Sequence, residues 1–302
     1  MRILVLYSCL ILLLTSCGRQ AYVFTSFHEP ANEGLRMLYS YDGRRWSDLD
    51  TVLLRPSVGV QQVMRDPSMV QGPDGTFHLV WTSSWRQDKG FGYASSKDLV
   101  HWSTPRWIPA MQSEAAVNVW APELFYDEAT ARYLIVWASC IPGRFEKGQE
   151  DDSNNHRLYY TATSDFQSFT PPTLFLDPGF SVIDAVIVPR AVNDYVLVLK
   201  DNTRPERNLK VAFGETATGP WKQVSAPFTA QFTEGPSVVR LQDHWLIYFD
   251  AYQTKTYEAV QTKDFIHFEK SAVQVPADHK HGTIVPVKRK VIKSLLKHFE
   301  KT

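Results

Sequence analysis

A short turn motif that returns along the chain is the feature that most constrains the fold. In this motif Ser or Thr precedes Asp by two residues, and an aromatic residue follows four positions after that Asp. Four copies keep this spacing: Ser40-Asp42-Trp46, Ser96-Asp98-Trp102, Thr163-Asp165-Phe169 and Thr262-Asp264-Phe268. A looser copy ends in Gly219-Pro220-Trp221. The aromatic residues recur every 47 to 67 residues, a period typical of the four-stranded blades of a β-propeller.

The segments between the copies favour strands. Period-two and short apolar runs such as Phe77 to Thr82 dominate residues 21–287, and helical periodicity is nearly absent. The segment His281 to Val287 resembles an inner strand without its outer strands, and Ala21 to Phe27 is a strand without a start motif. Pairing the N-terminal and C-terminal strands within one blade would leave neither of them with an exposed, unpaired edge. We therefore predict an all-β, five-bladed propeller closed by its N- and C-terminal strands.

The first 17 residues predict an export signal that ends in a lipidation site. Arg2 is followed by an apolar run, and Leu14-Thr15-Ser16-Cys17 resembles a bacterial lipobox. The run is too short for a membrane span, which needs about 20 apolar residues. We expect cleavage before Cys17 and a lipid on Cys17. The protein would then be anchored to a bacterial membrane outside the cytoplasm, in the periplasm or at the cell surface.

A basic tail, residues 288–302, follows the predicted propeller. It opens with Lys288-Arg289-Lys290, and Val291, Leu295 and Leu296 are spaced for one apolar face. This pattern favours a short basic amphipathic helix.

Composition limits the partners. Lys plus Arg equals Asp plus Glu at 32 each, so no net charge would attract nucleic acid or an acidic polymer. A neutral polysaccharide fits better. Of the three cysteines, Cys9 lies in the predicted signal and Cys17 would carry lipid, which leaves Cys140 without a partner for an internal disulfide. We expect a monomer.

Candidate chemical groups lie at the predicted starts of the inner strands. These strands run the same way in every blade, so their starts converge on one funnel. Aligning positions 66, 121, 184, 234 and 281 brings together three carboxylates, Asp66, Asp184 and Glu234. Asp184 stands within an apolar run, where a charge is costly unless it is paired or functional. The five start motifs are Arg65-Asp66-Pro67-Ser68, Trp120-Ala121-Pro122-Glu123, Val182-Ile183-Asp184-Ala185, Thr233-Glu234-Gly235-Pro236 and Lys280-His281-Gly282-Thr283.

These carboxylates suit glycoside hydrolysis, which needs one carboxylic acid to protonate the leaving oxygen and one carboxylate to activate water or attack the sugar. The order of the motifs, from Asp through Trp-Ala-Pro-acid and Ile-Asp to Glu-Gly-Pro, resembles glycoside hydrolase family 43 over residues 21–287. The resemblance implies a five-bladed inverting enzyme. Asp66 then matches the general base, Glu234 the general acid, and Asp184 the aspartate that orients the acid and raises its pKa.

Further residues near the expected funnel are candidates for substrate contact. They are Arg65, Trp120, Glu123 and His281, whereas Trp85 is assigned to packing between blades. His281 matches a family histidine on the propeller axis, where an ion can be bound. We expect no required cofactor and no metal ligand set, and an ion near His281 is the one exception left open.

Several alternatives remain. Within the family, an α-L-arabinofuranosidase is the first choice, a β-D-xylosidase or galactosidase the second, and endo action stays open. A lipoprotein that binds carbohydrate without catalysis is the alternative of another class. Ser40 to Trp46 is similar to a sialidase Asp-box, but its glycine and tryptophan each fall one residue early. Arg65-Asp66-Pro67 also occurs in family 32, whose other motifs are missing here.

Overall fold

The computed structural model describes residues 20–300. It contains five antiparallel sheets arranged as the blades of a propeller, so the predicted all-β fold is confirmed. The predicted signal, residues 1–17, and its Cys17 lie outside the described residues, and both stay predictions. In the described part, no helix has the length and apolar character to span a membrane.

The described residues form nineteen strands and one helix. The first ten strands are β1 Gln20–Ser26, β2 Arg36–Ser40, β3 Ser47–Asp48, β4 Arg65–Gln71, β5 Phe77–Thr82, β6 Gly90–Ser96, β7 Arg106–Pro109, β8 Trp120–Asp127, β9 Arg132–Cys140 and β10 His156–Thr163. The others are β11 Thr173–Leu176, β12 Val182–Ala191, β13 Asp194–Asp201, β14 Asn208–Gly214, β15 Thr233–Leu241, β16 His244–Ala251, β17 Thr256–Thr262, β18 Glu269–Lys270 and β19 Ile284–Lys288. The helix is α1 Arg289–Phe299.

Each blade is one sheet. Blade 1 is β4 to β7, blade 2 is β8 to β11, blade 3 is β12 to β14 and blade 4 is β15 to β18. Blade 5 has the order β19-β1-β2-β3 and so joins both ends of the chain. The inner strands β4, β8, β12, β15 and β19 contact one another in a closed ring around the axis. We call the space around the axis at the starts of these strands the funnel.

The ring closes where β1 pairs with β19. Five residue pairs run from Gln20 opposite Lys288 to Phe24 opposite Ile284, which confirms the predicted pairing of the termini. The turn into β19 lies close to β1, because a Cβ on Gly282 would lie 1.7 Å from the Thr25 carbonyl oxygen. Only glycine allows this approach.

The repeated turn motif has the same hydrogen bonds in all four copies. The Ser or Thr oxygen accepts from the amide three residues on, and Asp Oδ1 accepts from the amides two and three residues after the Asp. The residue directly after the Asp has a positive φ in each copy. Except for the glycine, these residues bury large side chains next to the turn, so the motif fixes the turn between the outer strands of a blade. The residues are Gly43, Leu99, Phe166 and Phe265.

The hydrophobic core consists of five clusters, each between two neighbouring blades. Both faces of a blade are therefore buried. In β5, Leu79 and Trp81 belong to the cluster shared with blade 5, whereas Val80 between them belongs to the cluster shared with blade 2. Because side chains alternate across a strand, one short apolar run supplies two clusters, and each fully buried aliphatic side chain contributes about 1.5–3 kcal/mol.

Helix α1 packs on the cluster between blades 5 and 1. Ile292 and Leu295 are fully buried in it, and Val291 and Leu296 pack against its edge. The helix begins two residues before the predicted apolar segment, and Ile292 adds to the apolar face that the sequence indicates. Its basic residues remain exposed.

Candidate active site

The starts of four inner strands share one backbone irregularity. In β4, β8, β12 and β15 the pairing with the next strand skips two residues. The first skipped residue always has a positive φ: 50° at Asp66, 45° at Ala121, 52° at Asp184 and 59° at Gly235. Three of these are not glycine. A left-handed backbone is unfavourable for such residues and clusters at functional sites.

This irregularity in the strand pairing corrects the predicted alignment of the strand starts at Glu234. The residue equivalent to Asp66 and Asp184 is Gly235, and Glu234 lies one residue earlier, level with Arg65, Trp120 and Ile183. Spacing alone misplaces Glu234 because the blades differ in length, so the interval between strand starts does not fix the register to a single residue. The three carboxylates still belong to three different blades.

Asp66 is held by both of its oxygens. The Thr82 hydroxyl donates to Oδ2 at 2.8 Å, and His281 Nδ1 lies 3.2 Å from Oδ1. The Thr82 oxygen in turn accepts the Ala121 amide at 2.8 Å, so the bulge of blade 2 fixes the carboxylate of blade 1. Burial alone would raise the pKa of Asp66, but the hydrogen bond and charge of His281, with Arg65 and Thr82, lower it. Asp66 is therefore ionised at neutral pH.

Asp184 is buried in the wall of the funnel. Its Oδ2 accepts the Gly235 amide at 3.0 Å, which repeats the tie between a carboxylate and the next blade's bulge. Burial raises the pKa of Asp184 above its ordinary value, and the negative charges of Glu234 and Asp66 act in the same direction. Glycine is required at position 235 because a Cβ there would lie 2.6 Å from the His281 ring.

Glu234 forms an ion pair that the sequence analysis does not include. Lys200 Nζ donates to Glu234 Oε2 at 2.6 Å, with 4% of the lysine side chain and 31% of the glutamate side chain exposed. Burial would raise the pKa of Glu234, but the charge and hydrogen bond of Lys200 outweigh it, so the pKa is lowered. In the free protein the pKa of Glu234 is therefore below its ordinary value, and the raising of this pKa by Asp184 stays a prediction. A lysine directly after the apolar run Tyr195 to Leu199 is the signal that could have revealed this partner.

His281 is the cation at the centre of the carboxylates. Burial would lower its pKa, but the charges of Asp184, Asp66 and Glu234, with the hydrogen bond to Asp66, raise it to about 9. His281 is therefore protonated at neutral pH. The contacts place the three candidate carboxylates around His281. Asp66 lies 3.2 Å from the ring, and Gly235, the neighbour of Glu234, adjoins the ring and donates its amide to Asp184. An ion beside it stays a prediction.

Glu123 lies beside this group on β8. The Thr283 hydroxyl is 3.4 Å from its Oε2. Desolvation raises the pKa of Glu123 to about 7 although Ser68, His281 and Thr283 favour the ionised form. Glu123 therefore takes up or loses its proton near neutrality, and it adds at most one negative charge to the site.

The aromatic residues at the funnel form a platform that the sequence analysis assigns only in part. Trp85 is 43% exposed, so its assignment to packing is wrong. The Trp120 ring is 5.3 Å from the Trp85 ring, and Trp120 Nε1 donates to the Trp85 carbonyl at 2.7 Å. Arg65 covers Trp85 at 4.2 Å and pairs with Glu29 at 2.9 Å. The predicted contact residues Arg65 and Trp120 thus lie together, next to Asp66.

The arrangement can carry out acid–base chemistry on a bound sugar. An ionised, doubly held aspartate, a partly exposed glutamate and an aspartate buried between them come from three blades around one imidazolium. The exposed indole ring of Trp85 beside such a group suits the apolar face of a sugar ring. A pair of carboxyl groups that can act as acid and base is what the hydrolysis of a glycosidic bond requires.

Comparison with known proteins identifies the family. A family model described as "Probable glycosyl hydrolase domain", related to glycoside hydrolase family 43, matches residues 19–292. The chain belongs to this family and is a glycoside hydrolase. No sequence among the curated proteins matches it.

Solved structures share the propeller at low sequence identity. An α-L-arabinofuranosidase from Lactobacillus brevis has a TM-score of 0.53 and 18% identity over 70% of this chain and 74% of that chain. The RS223-β-xylosidase has a TM-score of 0.57 and 11% identity, covering 73% and 82%. An exo-β-1,3-galactanase from Phanerochaete chrysosporium has a TM-score of 0.55 and 12% identity, covering 70% of this chain and 50% of that chain. At these identities the likeness shows the fold, and the named substrates belong to those proteins.

The central imidazolium predicts a pH dependence of stability. The pKa of His281 is about 9 in the folded protein and 6.5 ordinarily, so its stabilisation is complete below pH 6.5 and is lost as pH rises through about 9. This difference between the two pKa values corresponds to roughly 3 kcal/mol of folding free energy. Urea unfolding from pH 6 to pH 10 should show this loss in the wild type and not in His281→Gln. His267→Gln, at an exposed histidine, is the control. If the free energy of unfolding fell equally with pH in wild type and in His281→Gln, the raised pKa of His281 would be contradicted.

Proposed function

We propose that the protein is an inverting glycoside hydrolase in which Asp66 is the general base, Glu234 the general acid and Asp184 the residue that tunes the acid. One observation carries this proposal. Asp66 and Asp184 occupy the same left-handed position in two blades, Glu234 adjoins that position in a third, and all three act on His281. A purely structural role would not need three carboxylates in one buried group, since each costs free energy to desolvate.

The base is prepared before substrate binds. His281 and the Thr82 hydroxyl hold both oxygens of Asp66 and keep it ionised. An ionised carboxylate fixed in this way can accept a proton from the attacking water without reorganisation. Inversion requires this water to lie between base and sugar, on the face opposite the leaving group.

Glu234 can act as the acid only if its pKa rises when substrate binds. In the free protein Lys200 keeps the pKa of Glu234 low. A sugar bound over the partly exposed Glu234 would remove water from it, which raises a carboxyl pKa, and the neighbouring Asp184 adds a negative charge that acts in the same direction. Glu234 would then hold the proton that the leaving oxygen needs.

The charge of the site favours a neutral sugar. Asp66, Asp184 and Glu234 outnumber the cations His281 and Lys200, and Arg65 at the rim is paired with Glu29. A carboxylate-bearing sugar would therefore be repelled. We propose an α-L-arabinofuranoside of a plant-type polysaccharide, removed by exo action, as the first substrate to test; an arabinofuranosidase, a xylosidase and galactanases are all among the structural neighbours, and the likeness does not choose between them. β-D-Xylosides and galactosides are the alternatives for the test, and the mechanism uses protein groups alone.

Hydrolysis of a substrate panel tests the proposal. Nitrophenyl arabinofuranoside, xyloside and galactoside, with plant polysaccharides, would be incubated with wild type, Asp66→Asn and Glu234→Gln. Removing an acid or base should lower kcat by about 10²–10⁴-fold. Asp165→Asn, in an exposed turn, is the matched control and should keep full activity. NMR of the first product should show inversion at the anomeric carbon.

Two results would count against it. Retention at the anomeric carbon would rule out Asp66 as a base that acts through water. Oligosaccharide binding by wild type without hydrolysis of any substrate would favour the carbohydrate-binding alternative.

The ion pair between Lys200 and Glu234 predicts the pH at which activity falls on the alkaline side of the pH–rate profile. Because Lys200 lowers the pKa of Glu234, the free wild-type enzyme should lose kcat/KM as pH rises through that lowered value. Lys200→Met removes the cation, so the pKa of Glu234 rises and the basic limb should move to higher pH. Lys222→Met, which breaks an exposed pair with Glu215, should leave it in place. An unmoved limb in Lys200→Met would exclude Glu234 as the group that titrates.

We also propose that the protein is a lipoprotein on the outside of the cytoplasmic compartment, with its funnel turned away from the membrane. Gln20, three residues after Cys17, pairs with Lys288, and Arg289 Nε donates to the Gln20 carbonyl at 3.2 Å. Strand β19 leads from the funnel to this end. The lipid on Cys17 would therefore emerge beside the basic face of α1, formed by the exposed Lys288, Arg289, Lys290, Lys293 and Lys297.

The basic face predicts binding to anionic lipid. Each lysine near an anionic surface contributes about 1 kcal/mol. In the lipid-free Cys17→Ser protein, sedimentation with phosphatidylglycerol vesicles should exceed that with phosphatidylcholine vesicles and should fall with salt. Combined Lys290→Glu, Lys293→Glu and Lys297→Glu changes should abolish it, whereas Lys97→Glu, Lys222→Glu and Lys263→Glu should not. Equal loss in both sets would show that net charge, not this face, is responsible.

A further inference from the structure

A second cluster of titratable side chains lies in blade 5, outside the carboxylate site. His28 follows β1, Asp48 ends β3 and His279 precedes β19. One potential ligand atom from each residue lies within 4.8 Å of the other two. The cluster thus joins the N-terminal strand, the outer strand and the C-terminal segment of the blade that closes the ring.

The two histidines of the cluster lie close together, and both ring nitrogens of His279 have hydrogen-bond partners. His279 Nδ1 is 2.7 Å from the buried Ser26 hydroxyl, and its Nε2 is 3.0 Å from Asp48 Oδ2. The rings of His28 and His279 meet edge to face with centroids 4.6 Å apart. Within the described residues, His28 Nε2 is buried and has no hydrogen-bond partner. A buried ring nitrogen without a partner costs free energy unless something else binds it.

The cluster offers one carboxylate to a cation. Asp48 Oδ2 lies 3.0 Å from His279 Nε2. Glu33 Oε2 lies 4.0 Å from His28 Nδ1, but Arg36 pairs with this glutamate at 2.6 Å and Arg55 also acts on it. Asp48 is therefore the carboxylate that can balance the charge of a bound cation.

We propose that His28, Asp48 and His279 bind a divalent transition-metal ion, with Zn²⁺ the best match. Two imidazoles and one carboxylate are a ligand set that zinc accepts, with a fourth position for water. Zinc–nitrogen bonds of about 2.0–2.1 Å bring tetrahedral ligand atoms to about 3.4 Å from one another, so the three side chains need only a small contraction. The Ser26 hydroxyl would accept from His279 Nδ1 and present Nε2 to the metal, a typical outer contact of a zinc ligand.

A bound metal would stabilise the pairing of β1 with β19 that closes the propeller. Two ligands flank the pairing of β1 with β19, and the backbone of Lys280, the residue after His279, donates to the Phe27 carbonyl at 3.0 Å. An ion held by both ends of the chain binds the closed ring and not the open one. It therefore stabilises the folded protein by mass action. This site is independent of the proposed catalytic roles.

The test uses the full chain after removal of metal with a chelator. Titration calorimetry with ZnCl₂ should give one site, X-ray absorption should show nitrogen and oxygen ligands, and zinc should raise Tm. In His28→Ala and Asp48→Asn, zinc affinity should fall by at least about 10-fold, while Tm without zinc stays near that of wild type. His267→Ala, whose ring lies 2.7 Å from Asp264 in an exposed pair, should bind zinc as wild type does.

Three results would overturn the proposal. These are absence of zinc binding by wild type, unchanged affinity in both His28→Ala and Asp48→Asn, and loss of the site in His281→Gln but not in His28→Ala. The last result would place the ion on the propeller axis. Activity on glycosides is a separate readout, so failure of the catalytic proposal would leave this one intact.

Discussion

The antiparallel pairing of β1 with β19 is the interaction on which the rest of the structure depends. Without it, blade 5 has no inner strand and the ring of inner strands is open. His281 lies just before β19, separated from it by Gly282 and Thr283, so its position against Asp66 also follows from this pairing. Each of the five hydrophobic clusters lies between two blades, and two of them include blade 5. Closure therefore completes the core and the funnel together.

The closed ring explains how so many charges can be buried in one place. Each carboxylate is held by a group from another blade or strand: Asp66 by His281, Asp184 by the Gly235 amide, and Glu234 by Lys200. Removing one partner from such a set leaves an uncompensated buried charge, which is far more costly than the pair itself. The propeller brings these partners together from strands that are distant in sequence. The same ties that satisfy the charges also fix their geometry.

Local patterns predict the blades well because the turn motif and the strand alternation are both local. The hydrogen bonds of Ser96 and Asp98 are complete within six residues, so spacing is enough to find every copy. The offset of Glu234 could not be predicted in this way, since it depends on a left-handed residue at Gly235 whose effect is seen only in the ladder. For a similar reason the sequence does not reveal Lys200, and it does not indicate that Trp85 is exposed at the funnel. Their roles depend on neighbours 34 and 35 residues away, Glu234 and Trp120.

The two cations of the site differ in a way that bears on its chemistry. His281 interacts with all three carboxylates and is itself buried, so it is part of the fixed geometry. Lys200 forms its ion pair with Glu234, and that glutamate is the more exposed member of the pair. A sugar bound over Glu234 would remove water from the glutamate and leave Lys200 in place. The positive charge of Lys200 and the negative charge of Asp184 would then act in opposite directions on the pKa of Glu234, and their balance decides whether Glu234 takes up a proton. If Glu234 is the acid, proton uptake must therefore accompany substrate binding, because the free enzyme favours the ionised form.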